Sequence, residues 1–467
     1  MKKIILDAKP KRIPPLDPAF CPAALANRDF LRAVKTSGRG EPLTIALERS
    51  GGLISTYRTM VYCDGSGHEE ESCFYVERIV KTLLWISGGW KVIVGGPKYI
   101  GEYINSAYKP GGSREFDATL MSRVYEKPFT VVVTEIDKVP ASKEGAAPVG
   151  RHLDGCRIGF DAGGSDRKVS AVVNGKAVYS EEVVWHPKLH SDPEYHYNEI
   201  FAAMKAAASH MPRVDAIGVS SAGVYINNRV MVASLFLKVP DDLFEKHVKD
   251  IFLKIQKEFG GVPLQVANDG DVTALAGAMD LDDTTVLGIA MGTSEAAGYI
   301  DKDGNITGWL NELAFVPVDF SREAMVDEWS GDYGCGVKYF SQDAVIKLAA
   351  PAGIALEEKL SPAEKLKFVQ ELHEKGDERA SAIFESIGCY LGYAIAHYAD
   401  FYEIKHILVL GRVTSGKGGE LVIKGAEEVL KQEFPELYKS IQIHLPDESS
   451  RRVGQSIAAA SLPEIIR

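Results

Sequence analysis

Short runs dense in β-branched residues alternate along the chain with longer stretches whose apolar residues recur at helical spacing, and several of the runs end in glycine and small hydroxyl residues. The sharpest case begins at Arg157: Ile158, Gly159 and Phe160 lead into Asp161, Gly163-Gly164-Ser165 follows, and Val169 to Val173 forms a second apolar run. This pattern predicts a β-hairpin with a tight glycine turn. Residues 197–211 read as a helix, 214–220 as a buried strand leaving through Ser221-Ala222-Gly223, and 243–259 as one amphipathic helix with Phe244, Val248, Ile251, Phe252 and Ile255 on a single face. A strand at 262–267 runs into Asn268-Asp269 and an alanine-rich helix. A strand at 285–290 enters Met291-Gly292-Thr293-Ser294-Glu295 and returns through 296–301. Residues 380–402 form a long helix with Ile383, Ile387, Leu391, Ile395 and Tyr398 in register. Its Gly388 and Gly392 allow another helix to come close. Residues 407–410 are a buried strand leaving through Gly411-Arg412, with a helix over 420–434.

The first 150 residues are harder to read. Residues 9–22 are rich in proline and charge and predict an extended arm. Strand, glycine turn and strand follow over 43–57, then a helix over 77–87, a strand from Lys91 into Gly95-Gly96, a helix over 99–108 and a strand over 129–134. This order loosely echoes the later pattern, but Glu48-Arg49-Ser50-Gly51-Gly52 stands where an acid ends the strand later on. A decayed internal copy and an accessory α/β domain both remain open. A short helix fits 27–35, while the prolines and glycines argue against a DNA-reading helix-turn-helix. Residues 139–155 are the clearest linker, so the expected domains are 1–150, 156–280 and 281–467.

Candidate chemistry sits at the strand exits. Glycines at Gly163 and Gly164 let a phosphate approach backbone N–H groups, Ser165 adds a hydroxyl and Lys168 a charge. Asp161 at the strand end is placed to hold Mg²⁺ through water; an ordinary hairpin turn would look the same. Gly292, Thr293 and Ser294 form a second such turn. Asp269 has the position of a general base. Helix capping is the alternative, but a cap needs only one of Asn268, Asp269 and Asp271.

Composition narrows the class. Lys and Arg number 53 against 64 Asp and Glu, a formal charge of −11, which argues against a general affinity for nucleic acid. Six scattered cysteines fit a reducing compartment. Met1 to Asp7 lacks the apolar run of a signal peptide, and nothing approaches the roughly 18 apolar residues of a membrane span. The expectation is a cytoplasmic protein with no nucleic-acid or membrane partner.

Two phosphate-type hairpins, a strand-end Asp between them and a late strand–glycine–helix resemble the sugar kinase, Hsp70 and actin superfamily, and most of all its ROK branch of sugar kinases and sugar-responsive repressors. The resemblance spans about 157–462. That family's Asp-x-Gly-Gly-Thr-Lys motif matches Asp161, Gly163, Gly164 and Ser165, with Lys168 two residues late, and its Asn-Asp pair matches Asn268-Asp269. It implies two ribonuclease H-like (actin-like ATPase) lobes with a cleft, beside the N-terminal α/β domain. It also implies an ATP-dependent sugar kinase and a homodimer, or alternatively a non-catalytic sugar sensor with the same cleft. The implied roles are Asp269 as base; Gly163, Gly164, Ser165, Lys168, Gly292, Thr293, Ser294, Gly411 and Arg412 on ATP; Ser221, Ala222, Gly223, Asn268, Asn311 and Glu312 on sugar; and Asp161 toward Mg²⁺. Members of the family bind a structural Zn²⁺ through a His and three Cys. Here Phe315, Glu328 and Ser330 stand at three of those positions and only Cys335 remains, too few ligands for zinc. Zinc is therefore expected to be absent, with apolar packing around Phe315, Trp329, Tyr333 and Tyr339 in its place.

Overall fold

The computed structural model describes residues 6, 8–145, 149–446 and 448–465, with the backbone alone for 448–453. It is a mixed α/β protein of the actin-like ATPase type. It divides into two compact units: residues 1–145 with 289–296 and 309–445, and residues 146–288 with 297–308 and 446–467. This division differs from the three consecutive domains read from the sequence, because the chain crosses between the units several times. The linker expected at 139–155 is tied down at its start, where Lys143 bridges Ile54 of the N-terminal sheet. Its residues 146–148 lie outside the described ones, as do Met1 to Ile5 and Asp7, the stretch read above as lacking a signal-peptide pattern.

The N-terminal sheet holds β1 (Gly40–Glu48), β2 (Ile54–Tyr62), β3 (Lys91–Gly95) and β4 (Thr130–Thr134) in the order β2-β1-β3-β4. β3 runs antiparallel to β1. In the next sheet the corresponding central pair is parallel, so the echo in the sequence is not a repeated fold. The helix beside this sheet, Glu69–Ile86, starts well before the apolar residues that predict it. Ser72, Glu77, Arg78, Lys81 and Thr82 are buried along it, so its inward side carries charges as well as apolar residues. The predicted 27–35 helix extends over Ala23–Ser37.

The second unit is built on β5 (Cys156–Ala162), β6 (Asp166–Val173), β7 (Lys176–Val184), β8 (Ala216–Ser221) and β11 (Leu264–Asn268), in the order β11-β8-β5-β6-β7. β5, β6 and β7 form an antiparallel meander, while β8 and β11 join parallel to β5; this is a ribonuclease H-like arrangement. β9 (Val224–Ile226) and β10 (Arg229–Val232) make a small hairpin beside it. The single helix predicted over 243–259 is broken into a π-turn at Phe244–Val248 and a helix at Ile251–Glu258. Its apolar face is buried as expected, but the Lys249 carbonyl accepts the Val230 N–H of β10, so tertiary pairing replaces a helical bond. The C-terminal helix Glu448–Ala460 returns to this unit rather than to 281–467. It lies so close to the sheet that a Cβ on Gly159 would stand 2.0 Å from the Ser456 carbonyl, and one on Gly218 1.6 Å from that of Ala459.

The fourth sheet is β13-β12-β14-β15, from β12 (Val286–Met291), β13 (Glu295–Ile300), β14 (His406–Leu410) and β15 (Gln442–His444). Helix Glu378–Tyr398 packs against helix Lys417–Glu433, with Gly388 and Gly425 in backbone contact. The N-terminal arm lies along the first of these helices: Leu16 N–H donates to Ser386, and the Tyr390 hydroxyl donates to Asp17. Among the described residues no helix is long and apolar enough to cross a membrane.

Candidate active site

The hairpin register answers the first question, why Lys168 sits two residues late. Asp161 at the end of β5 pairs directly with Lys168 of β6. The Lys168 ammonium is 4.0 Å from the Asp161 carboxylate and 3.2 Å from that of Asp166. Asp161 is buried, and burial pushes its carboxyl up to about 6 against the opposing pull of Ser220 and Lys168. Ser220, its neighbour on β8, donates to it at 2.7 Å. Sequence reasoning missed Ser220; only the strand register brings it to Asp161. Gly163 is half-buried and Gly164 and Ser165 are exposed at the turn, where Ser165 Oγ donates to Asp166. Gly163 is needed for space, since a Cβ there would lie 2.7 Å from the Asp166 carbonyl.

The Asn-Asp pair divides its labour. Asn268 is the cap of helix Asp269–Leu281: its Oδ1 accepts the Gly270 N–H at 2.7 Å, and its Nδ2 donates to the Gly223 carbonyl at 2.8 Å. Asp271 is buried and accepts the Tyr299 N–H. Capping and anchoring thus belong to Asn268 and Asp271, while Asp269 accepts one bond, from Gly270 N–H through Oδ1. Burial raises its carboxyl above the usual range, against the pull of backbone N–H groups. Its charge also reaches Asp161 and Tyr225. Ser221 and Ala222 are tied to the Tyr225 hydroxyl, at 2.7 and 3.1 Å. Gly223 has φ +129 and touches the Val232 carbonyl, so no larger residue fits. Asp161, Lys168, Ser221–Gly223, Asn268 and Asp269 therefore belong to one set of strand ends in the second unit.

The other predicted residues belong to the first unit. Gly292, Thr293 and Ser294 form the turn between β12 and β13, closed by Gly292 N–H to the Ser294 carbonyl. Gly411, at φ +100, abuts the Met291 carbonyl, and Arg412 is exposed. Asn311 is buried at φ +52, and its Oδ1 accepts the Tyr402 hydroxyl. Glu312 is half-buried. Its charge, after burial itself, helps raise the carboxyl of the enclosed Glu295.

No local pattern marks what holds the Asn311–Phe315 segment. Asn311 N–H donates to the Ile86 carbonyl at 3.0 Å and Glu312 N–H to that of Trp85 at 2.9 Å, so the C-terminal carbonyls of the Glu69–Ile86 helix grip the segment. Trp85 stacks on Phe315 with ring centroids 4.1 Å apart. Along the same helix lies a buried ionic cluster. Arg78 meets Asp332 through both terminal nitrogens, at 2.9 and 3.2 Å; Lys81 and Arg114 reach Asp332 at 3.1 and 2.8 Å. Glu77 pairs with Arg78 and Arg114, and Asp117 with Lys81 and the Trp85 indole.

This corrects the expectation that apolar packing around Phe315, Trp329, Tyr333 and Tyr339 stands in place of zinc. Phe315 and Tyr339 are buried, but Trp329 is 59% exposed and Tyr333 lies under the Arg78 guanidinium. The residues present do not suit zinc. Burial pushes the Cys335 thiol up to about 12, Glu328 pairs with Lys338, and Ser330 bonds to Asp327. Among the described residues no group of three or more His, Cys, Asp or Glu is disposed to hold a metal. A magnesium ion brought by a nucleotide needs less from the protein, one or two carboxylates beside the phosphates, and Asp161 at the glycine turn fits that demand.

No curated protein matches the sequence. Among solved structures the fold is similar to a ROK hexokinase from Thermus thermophilus, at 15% identity over 65% of this chain and 96% of that one, with TM-score 0.51. It is also similar to a ROK-family transcriptional regulator described as a homologue of the E. coli MLC protein, at 18% identity over 66% of this chain and 79% of that one, with TM-score 0.53. A ROK glucokinase from Streptomyces griseus, in complex with glucose and AMPPNP, is 21% identical over 66% of this chain and 98% of that one, at TM-score 0.48. The profile of the ROK family matches residues 157–457, from β5 of the Gly163–Ser165 hairpin into the C-terminal helix. With well over half of its length in that match, the chain belongs to the ROK family.

Proposed function

We propose that the protein is an ATP-dependent sugar kinase that transfers the γ-phosphoryl group to a hydroxyl of a hexose or amino sugar, with Asp269 as general base. The observation that supports this most is how little else engages Asp269: Asn268 caps the helix, Asp271 anchors β13, and the bond at Asp269 Oδ1 is from the Gly270 N–H that Asn268 already takes at the shorter distance. A carboxyl raised by burial is also a stronger base than an exposed one. In this reading Asp269 takes the proton of the sugar hydroxyl as its oxygen attacks the γ-phosphorus and the bond to the β-γ bridging oxygen breaks. Phosphoryl transfer asks the protein mainly for positioning and charge stabilisation. Ser221, Ala222, Gly223, Asn268, Asn311 and Glu312 would orient the sugar. Gly163, Gly164, Ser165, Gly292, Thr293 and Ser294 would bind phosphate oxygens, and Gly411 and Arg412 the adenosine. Asp161 would face the nucleotide's Mg²⁺, which supplies charge neutralisation.

A second reading, a sugar-responsive regulator without catalysis, is favoured by one observation: exposed Arg412 stands where the resemblance calls for glycine in the adenosine turn. One screen separates the two. Hexoses and amino sugars are tested for thermal stabilisation with and without Mg–ATP, and for ADP release. The kinase reading expects at least one sugar that both stabilises the protein and drives ADP release. Stabilisation by sugar with no ADP release and no effect of Mg–ATP would replace it with the regulator.

A further inference from the structure

We infer that Lys188 is the cation that meets phosphate at the first glycine turn, where Lys168 is already engaged by carboxylates. The inference deepens the kinase reading, on which it rests, by naming a contact to the phosphate chain of a nucleoside triphosphate.

Two carboxylates and one lysine stand at this turn. Lys168 is held by Asp166 at 3.2 Å and by Asp161 at 4.0 Å, which leaves the three groups with one net negative charge when ionised. Such a turn repels a phosphate. Arg167 offers no relief, since its guanidinium pairs with Glu199 at 2.9 Å. Lys188 comes from outside the hairpin. Its Cε and Nζ lie 3.2 and 3.3 Å from the point where a Cβ on Gly164 would stand, so the ammonium hangs over the exposed crest of the turn. Lys188 has no ion pair among the described residues. Its charge brings the turn to neutrality and leaves N–H donors available to phosphate oxygens.

The segment carrying Lys188 is fixed to both sides of the turn. Trp185 is buried; its indole N–H donates to the Gly163 carbonyl at 2.8 Å and its backbone N–H to that of Ser165 at 3.1 Å. The following Pro187–Leu189 turn is held through the Pro187 carbonyl, 3.0 Å from buried His196 Nε2. The backbone is thus immobilised while the ammonium stays in solvent, the arrangement a ligand-gathering lysine needs. Glycine at 164 also has a reason beyond the backbone, because a side chain there would occupy the space under this lysine.

The test uses the full chain and calorimetric titration with Mg–AMPPNP and, separately, with adenosine. Lys188→Ala is expected to weaken AMPPNP binding about tenfold, the low end for a charge-assisted contact at an exposed site. Lys188→Arg should stay within about threefold of the parent, and adenosine affinity should not change. In the parent protein, saturating AMPPNP should protect Lys188 from acetylation, as read by mass spectrometry. AMPPNP affinity within about twofold of the parent in Lys188→Ala, or undiminished acetylation, overturns the assignment and leaves the kinase reading standing. A parent protein that binds no AMPPNP overturns both.

Discussion

Replacing Asp332 by Asn tests the proposition that buried charge from the N-terminal region does the work of a metal beside the Asn311–Phe315 segment. Asp332 is 4% exposed and receives Arg78, Lys81 and Arg114 at 2.8 to 3.2 Å. Burial by itself would raise its carboxyl, yet Arg78 and Lys81 hold it below the usual carboxylate range, so it is ionised in the fold. With Glu77 and Asp117, three acidic side chains face three basic ones. The amide keeps the shape, so no cavity forms, but it leaves one buried positive charge without a partner. Breaking a buried pair in this way costs about 3–5 kcal/mol. At about 2 °C per kcal/mol for a large cooperative unit, the melting temperature should fall by roughly 5–10 °C. The assay is thermal and urea unfolding of the full chain, with and without added Zn²⁺, which should rescue nothing. Since the same helix grips Asn311 and Glu312, stabilisation by sugar should weaken as well. A melting temperature within about 1 °C of the parent would refute the claim that this cluster supports the fold.

Two further predictions concern the core. His397 is buried with neither ring nitrogen bonded, and burial, with a smaller push from Arg28, depresses it to about 3. The unfolded chain therefore binds this proton from about pH 6.5 downward while the folded one does not, so acidification removes stability, about 2 kcal/mol by pH 5 from this group. His397→Leu should lose less stability between pH 8 and pH 5 than the parent by that amount, read from urea midpoints; equal losses would contradict the assignment. Gly218→Ala should unfold the C-terminal helix or abolish soluble expression, because its Cβ would meet the Ala459 carbonyl at 1.6 Å, whereas Gly288→Ala, with its nearest contact at 3.4 Å, should change stability by under about 1 kcal/mol.

The strands and glycine turns of the family region were legible because β-branched runs and small-residue exits are local signals. Asp161, Gly163 to Ser165 and the Asn268-Asp269 pair stand at strand ends where the pattern puts them. What the sequence hid depends on long-range pairing. The displaced Lys168 makes sense only once the hairpin register sets it opposite Asp161. Lys188 carries no local mark, since its place over Gly164 comes from a tryptophan bonded to the turn. The Glu69–Ile86 helix was legible only from Glu77 onward, where its apolar residues recur; its first two turns, opening on Glu69, Glu70 and Glu71, carry no such apolar repeat. That Trp85 and Ile86 hold the Asn311–Phe315 segment is likewise invisible along the chain, more than two hundred residues separating them.

The central claim is that Asp269 is the base of a phosphoryl transfer. The measurement is ADP release with the sugar that most stabilises the parent protein, set beside sugar affinity, for the parent and for Asp269→Asn. The amide keeps the shape and the bond from Gly270 N–H but cannot take the hydroxyl proton. Transfer should fall at least about a hundredfold while sugar affinity stays within about tenfold. A variant that keeps most of its kcat would show that Asp269 is only a helix-terminal residue, and the account of this site would be wrong.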